Sequence, residues 1–367
     1  MVRKVRSTDS LHPARLLLTA ALSPAEFSKK FQPKISNTPP LPAIDWTSFA
    51  DRPQPLNTPG TLPSAEAIVI TWAEPEWAAL EQVFFGAAPM KYAKRNESSW
   101  TGWVKDETSA PAELGYWGYY RLAKLGGTQV LLYKSNAHYA ASSGESDLAA
   151  LVNRLVQSVA PQLILSIGTA GGARLSDPVG TVNVVRSDAL YESNQPQTVW
   201  PKFVSTWVAE DTVLKSRPFK NLLFPVPTTT SDLKSIATQF NAFYSTKYSL
   251  NTLNPGNLNS GAAAPAINDL TGAGVALLTA KSFVVANTSG NLSKFACVEM
   301  DDAIIARTLA GKIPFGSLRN ISDPIQADAL PPAMQGHWGE AIYDAYGFYT
   351  SFNGALSAWA VLTAQLG

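Results

Sequence analysis

From residue 64 onward, short unbroken apolar runs alternate with segments whose apolar residues recur at helical spacing. The run "EAIVIT" (66–71) reads as a buried strand, and "EPEWAALEQVF" (74–84) follows with Trp77, Leu80 and Phe84 on one helical face. "TQVLLYKS" (128–135) predicts a strand, and "SDLAALVNRLVQSV" (146–159) an amphipathic helix whose Asp147 suits the helix dipole. "QLILSIG" (162–168) predicts a strand ending in a glycine turn, "GTAGGA". "GTVNVVRSDALY" (180–191) and "GVALLTAKSFVVA" (274–286) predict further strands. Phe295 to Val298 reads as a strand, Ala303 to Leu309 as the start of a helix, 315–321 as a strand, and 339–364 as a terminal helix. No internal repeat is visible. Such alternation predicts an α/β fold with a largely parallel or mixed central sheet.

Two regions break the pattern. Residues 31–63 are dense in proline and read as an extended linker or strap, with Trp46 and Phe49 suited to docking in a groove. The globular domain is expected to begin near Ser64, leaving 1–63 as an N-terminal extension. Residues 192–270 are rich in Ser, Asn, Thr and Pro and read as an insertion with one helix near 231–246. Arg3, Lys4 and Arg6 precede "LLLTAALSPA", but Asp9, His12 and Arg15 interrupt that apolar stretch. A short amphipathic helix is expected there rather than a cleaved signal.

Composition narrows the function classes. The 367 residues carry 29 Lys+Arg against 28 Asp+Glu, a formal charge of +1 that gives no reason to expect nucleic acid or an anionic membrane as partner. No apolar run approaches the length of a membrane span, and a cytoplasmic protein is the expectation. Lone Cys297 sits in an apolar strand and reads as an inert core residue. The three histidines, His12, His138 and His337, lack metal-ligand spacing, so neither a metal nor a cofactor is implied.

Four segments put polar groups at the ends of buried strands, where α/β folds build their sites. "ITWAEPEW" places Glu74 and Glu76 just past the first strand, and "SIGTAGG" offers Gly168, Gly171 and Gly172 for close backbone approach. "VEMDDAIIA" sets Glu299, Asp301 and Asp302 between two core elements, and "RNISDP" brings Arg319, Ser322 and Asp323. One acid is accounted for by helix capping, three are not. Each segment alone is compatible with ordinary turn or capping chemistry. Together they predict a site with several acids and one arginine.

The order "IVITWAEPEW … SIGTAGG … TAKSFVV … VEMDDAIIA … RNISDP" resembles the purine nucleoside phosphorylase and nucleosidase superfamily. It is most similar to the methylthioadenosine/S-adenosylhomocysteine nucleosidases and the AMP nucleosidases. The likeness spans roughly residues 64–367, apart from the 192–270 insertion. It implies a nucleoside phosphorylase-like α/β/α sandwich with a mixed central sheet, and cleavage of the N-glycosidic bond of a purine nucleoside or nucleotide. By that resemblance Asp323 protonates the purine with Ser322 in support, and Glu76 activates water with Arg319 orienting the acids. Asp301 binds the ribose hydroxyls, Met300 packs on the sugar, and Phe283 and Val284 line the base pocket. Gly168, Thr169, Ala170 and Gly171 approach the substrate, and Lys134 and His138 flank the site. Glu299 is either a second ribose contact or a partner of Arg319, and Asp302 is left to cap the helix.

One residue departs from the family pattern, which usually has Glu where this chain has Asp301. Hydrolysis is favoured over phosphorolysis because Ser166 stands before "IGTAGG", "TWAEPEWAAL" holds no arginine, and Glu76 repels a phosphate dianion. A phosphate-dependent phosphorylase, a nucleotide-degrading effector of bacterial defence, and a non-catalytic storage or binding protein of the same fold remain as alternatives. A homo-oligomer is expected, with Trp100, Trp103, Trp117 and Tyr119 as interface or satellite-core residues. A nucleotide substrate is favoured over a thioether nucleoside, with Lys134, His138, Arg174 and Arg186 to meet its phosphate.

Overall fold

The computed structural model describes residues 31–34, 40–41, 43–49, 51–86, 88–91, 95, 99–139, 141, 143–185, 190–192, 223, 230–256, 266–270, 276–280, 295–325 and 329–366. The described strands are β1 (Gln54–Pro55), β2 (Ala67–Thr71), β3 (Val104–Asp106), β4 (Gly118–Leu125), β5 (Thr128–Ser135) and β6 (Leu163–Gly172). They continue with β7 (Val182–Val185), β8 (Leu190–Glu192), β9 (Ile267–Asp269), β10 (Ala276–Thr279), β11 (Phe295–Glu299) and β12 (Phe315–Pro324). The helices are α1 (Glu74–Phe85), α2 (Gly144–Val159), α3 (Thr230–Tyr244), α4 (Leu250–Leu253), α5 (Asp302–Leu309) and α6 (Pro332–Leu366).

All the strands join one mixed sheet. Its main path runs β1-β4-β5-β2-β6-β11-β10-β8, and β12 lies on the other edge of β6, followed by β7 and β9. β2, β5, β6 and β12 run parallel, while β11 meets β6 antiparallel. Strand β2 pairs with β6 only as far as Ser166, and β11 takes over at Gly171 and Gly172. The sheet therefore opens along the glycine-bearing half of β6, and that opening is where the acids gather.

Alternation along the strands builds a layer of helices on each face. Ala67 and Val69 join the cluster under α1 and α6, whereas Ile68 and Ile70 join the cluster under α2 and α5. This is an α/β/α sandwich around a mixed sheet: the alternation predicts the α/β class and the mixed sheet, and the resemblance implies the sandwich. Burying a leucine or isoleucine fully stabilises by about 2 kcal/mol, so the two clusters supply the main driving force for the fold.

Several elements differ from the sequence reading. "GTAGG" is no turn: β6 continues through it to Gly172, because β12 on one edge and β11 on the other supply hydrogen bonds. The expected strand 180–191 is two short strands, β7 and β8. Of the expected strand 274–286 only 276–280 lies within the described residues, with Ala276–Thr279 forming β10. The terminal helix starts earlier, at Pro332, a residue suited to a helix's first turn. Strands β1, β3, β4 and β9 carry no clear apolar signal; Arg121 and Lys124 interrupt β4.

Trp46 and Phe49 meet Trp359 of α6 edge to face at 5.0 and 4.9 Å, and Trp359 Nε1 donates to the Asp51 carbonyl at 2.8 Å. Strand β1 then adds to the sheet against β4. The aromatic segment behaves as core. Trp77 stacks on Trp100 at 3.6 Å and on Tyr119 at 5.0 Å, with Trp103 edge-on at 5.2 Å. Trp100, Trp103, Trp117 and Tyr119 are all buried within the chain, so they are not available as a subunit interface. No helix among the described residues is long and apolar enough to cross a membrane.

Candidate active site

Glu76 is reached first along the chain. It is the third residue of α1, and its carboxylate folds back over the helix N-terminus. Oε2 accepts from Thr71 Oγ1 (2.8 Å), Trp72 N (3.1 Å) and Ala73 N (2.8 Å). Oε1 accepts from the amide and the hydroxyl of Thr169 at 2.8 and 2.9 Å. Five donors thus lock a buried carboxylate between β2 and β6. The Thr169 amide is thus spent on Glu76 and does not meet a ligand.

Gly168 explains its own identity. A Cβ at this position would collide with Arg319 Nη1 and stand 3.2 Å from Glu76 Oε1. The acid and the guanidinium come together over bare backbone, a close approach only glycine permits. Gly168 is paired with Arg319 across β6 and β12, and Ser166 with Ser317 two residues earlier.

The acids after β11 divide. Asp301 accepts from the Tyr139 amide at 3.0 Å and lies 3.6 Å from His138 Nδ1. Burial raises Asp301 to about 7, opposed by Arg319 and by the Tyr139 hydrogen bond. Burial drives His138 down to about 4 despite the pull of Glu76, so the 3.6 Å contact joins a neutral imidazole to the acid and is no ion pair at neutral pH. Glu299 turns the other way. Its Oε2 accepts from the amides of Asp301 (2.7 Å) and Asp302 (3.0 Å) and lies 3.1 Å from Arg319 Nη2, while Oε1 meets Thr279 Oγ1. Of the two roles expected for Glu299, the structure shows the Arg319 partnership; its oxygens are engaged internally. Burial, then Asp302, push its pKa up to about 8, with Arg319 opposing them.

Asp302 corrects the sequence reading. It caps nothing: its fully buried carboxylate accepts from Ser166, Ser317 and both Nε and Nη2 of Arg319. Burial alone would lower the Arg319 pKa, but Asp302 and Glu299 outweigh it and hold the guanidinium more firmly charged than usual.

Asp323 stands apart. The register of β12 against β6 slips by one residue at Ser322, pairing Ile321 with Ala170 and Asp323 with Gly171. Such a bulge re-aims the following side chain. Asp323 Oδ1 accepts from Ser322 Oγ at 2.6 Å, and Oδ2 is buried without a partner among the described residues. Burial pushes Asp323 up to about 7, against the Ser322 hydrogen bond, and no other charge contributes to its shift. Gly339 of α6 and Gly171 make room, since Cβ atoms there would lie 3.2 and 3.6 Å from Oδ2. Gly168 and Gly171 are three residues apart on β6, roughly 10 Å along the strand, so the arginine–glutamate pair and the lone aspartate lie beside different stretches of the same strand.

The other sequence-predicted residues fall as follows. Met300 is buried at the end of β11, Ala170 accepts from Ser322 through its carbonyl at 3.4 Å, and Lys134 is buried at the end of β5. Lys134 is close enough to depress His138 by its charge. Phe283, Val284 and Arg186 lie outside the described residues. Sequence reasoning missed Gly339 and the Ser166–Asp302–Ser317 seat; the polar residues at 166, 317 and 319 inside core strands were the available signal.

No protein-family model and no curated protein matches the chain. Solved structures do. The 5′-methylthioadenosine/S-adenosylhomocysteine nucleosidase of Neisseria meningitidis, in complex with methylthio-immucillin-A, aligns at TM-score 0.45 and 15% identity, over 81% of this chain and 98% of that one. The corresponding Streptococcus pneumoniae enzyme, with a transition-state inhibitor, gives the same values. The futalosine hydrolase of Helicobacter pylori strain 26695 aligns at TM-score 0.44 and 11% identity, over 82% and 97%.

Proposed function

We propose that this chain is an N-glycosidase that hydrolyses a purine nucleoside, releasing the free base. The observation that carries the reading is Asp323: a buried carboxyl, raised to about 7, with one oxygen unpartnered among the described residues, on the strand that also carries Arg319 beside the fixed Glu76 carboxylate. Departure of the base is the difficult step, because an unprotonated purine leaves as a poor anion. Protonated Asp323 gives its proton to a ring nitrogen as the C1′–N bond breaks. The sugar develops positive charge, which the Asp301 carboxylate favours from the hydroxyl side. Water adds to C1′ and passes its proton to Glu76, taking the place of the rotatable Thr169 hydroxyl on Oε1.

Among the described residues, the surroundings favour a nucleoside over a nucleotide, reversing the expectation from sequence. Burial lowers the pKa of His138 and so favours its neutral form, and Arg319 has committed one edge to Asp302 and Glu299, which leaves Lys134 at the end of β5 as the cation that a phosphate would call on. A phosphate dianion gains little there and meets several acids. The test is chromatography after incubation with adenosine, inosine, methylthioadenosine, AMP and ATP, with and without inorganic phosphate. Base and free sugar at a phosphate-independent rate are expected. Ribose 1-phosphate as main product means a phosphorylase, preference for AMP or ATP restores the nucleotide, and release of no base from any compound removes the glycosidase reading.

A further inference from the structure

Arg319 has a guanidinium with two distinct edges, and the fold treats them differently. The Nε–Nη2 edge meets the Asp302 carboxylate as a fork, with Nε 2.9 Å from Oδ2 and Nη2 2.5 Å from Oδ1. Ser166 Oγ donates to Asp302 Oδ1 at 2.6 Å and accepts from Arg319 Nη2 at 2.8 Å, tying the two together. Ser317 donates to Oδ2 from the neighbouring strand. Because Ser317 is paired with Ser166 and Arg319 with Gly168, the seat is written into the register of β6 and β12. Trp72 closes one face of the guanidinium, its ring centroid 5.1 Å from Cζ, and is itself fixed by Nε1 donating to the Ala137 carbonyl at 2.9 Å.

The remaining nitrogen, Nη1, points over Gly168 beside Glu76. Ser166, Glu299 and Trp72 also touch the guanidinium, but only Asp302 grips both Nε and Nη2, while Asp301 and Glu76 lie near enough to compete for it. We propose that Asp302 is a positioning residue for the glycosidase: it holds Arg319 by one edge so that Nη1 alone faces the cleft. Without that seat Arg319 swings onto Asp301 or Glu76 and occupies the carboxylates that the sugar and the water require. The inference rests on the function proposed above for Glu76 and Asp301. An aspartate at a helix start ordinarily serves the helix, but Asp302 here makes no side-chain hydrogen bond to the backbone of α5.

The experiment is a double-mutant cycle read in two ways. Asp302→Asn keeps the shape but cannot accept from both Arg319 nitrogens, and is expected to lower kcat about tenfold or more with KM within about twofold. Arg319→Gln lowers kcat by itself, and the double variant is expected to be no slower than Arg319→Gln, since Asp302 acts only through the arginine. In parallel, Arg319 Nε–H in a ¹⁵N-arginine spectrum, identified by its loss in Arg319→Gln, is expected to be protected from exchange in wild type and unprotected in Asp302→Asn. Should Asp302→Asn fail to fold, Ser166→Ala removes the bridging hydroxyl while keeping the charge, and about a threefold loss in kcat is expected. Additive losses in the cycle, or an exposed Nε–H in the wild type, overturn the positioning role. Wild type that releases no base overturns the functional reading instead, and the Nε–H signal then decides alone whether Asp302 seats the arginine.

Discussion

Two buried carboxylates in this protein live by opposite rules. Asp106, on β3, has every need met: Arg154 Nη2 reaches Oδ1 at 2.7 Å, and Tyr133 OH donates to Oδ2 at 3.1 Å. Asp323, on β12, keeps one oxygen buried and unpartnered and has no cation acting on it. A buried acid with no cation is destabilising in its ionised form, and folds avoid it unless the group is used. The Asp302–Arg319 seat belongs with Asp106 in this respect, and Asp323, the proposed proton donor, does not. For a group that must hold a proton at neutral pH the telling feature is incomplete pairing, since burial is the same in both; the proposed base Glu76 is fully paired and follows a different rule.

The sharpest way to break the contrast is Asp323→Asn. An amide fills the same space between Gly171 and Gly339 but delivers no proton, and base release is expected to fall on the order of a hundredfold or more. In the wild type the rate is expected to fall as pH rises through about 7, where Asp323 loses its proton. Stability carries the same signature. A carboxyl raised from 3.8 to about 7 on folding contributes stability that is complete below pH 4 and lost as pH rises through 7. Asparagine does not titrate, so Tm of the variant relative to wild type is expected to climb by several degrees between pH 4 and pH 8. A pH-independent Tm difference, with turnover intact, means that Asp323 is an ordinary core acid.

Glu76→Gln probes the other end of the cleft. The five donors that meet Glu76 fit a carboxylate, and a glutamine NH₂ would oppose some of them. Hydrolysis is expected to fall by about a hundredfold for want of a base, with the fold retained. Turnover that becomes dependent on added phosphate or azide, with an anomeric adduct as product, would show that an external nucleophile replaces the activated water. Wild-type rates in this variant exclude Glu76 as the base.

The chain's own text disclosed these two acids unevenly. Asp323, Glu76, Arg319 and Asp301 were legible because their motifs occur in a recognisable order at strand ends. Asp302 was not, because an acid before "AIIARTL" reads as a cap, and its partners lie 136, 15 and 17 positions away in sequence. Only the pairing of β6 with β12 brings Ser166, Ser317 and Arg319 to one place. The same holds for the aromatic cluster. Aromatic density at 100–119 suits an interface and a core equally well, and the Trp77 stack that decides for the core depends on where α1 lies. Strand β4 escaped notice since its apolar face is interrupted by charges that reach Glu81 and solvent.

Arg154→Met sharpens the comparison from the structural side. It strips Asp106 of its cation while Tyr133 still donates, leaving an acid only 3% exposed and short of a partner. Breaking a fully buried pair typically destabilises by 3–5 kcal/mol, and a guanidinium 23% exposed lowers this to roughly 2 kcal/mol. Tm is expected to drop by several degrees while kcat stays within about twofold. Equal loss of activity and stability would mean that the two acid clusters are coupled and the contrast between them is false.

Gly339→Ala tests the smallest element of the arrangement. A glycine inside a helix is destabilising by about 1 kcal/mol relative to alanine, so its presence in the middle of α6 asks for a reason. The reason offered by the geometry is Asp323, whose Oδ2 would lie 3.2 Å from the new methyl carbon and whose Cβ and Cγ would lie 3.7 Å away. That is a few tenths of an ångström too close, and Asp323 has to give. The bulge at Ser322 and the contact to Gly171 restrict where it can go. Turnover is expected to fall about threefold to tenfold through misplaced proton delivery, with KM little changed. Tm is expected to hold or rise slightly, since the helix gains a better former as it loses some room. A variant that is less stable but fully active would place the glycine's importance in helix packing alone, and would loosen the claim that α6 shapes the environment of the proton donor.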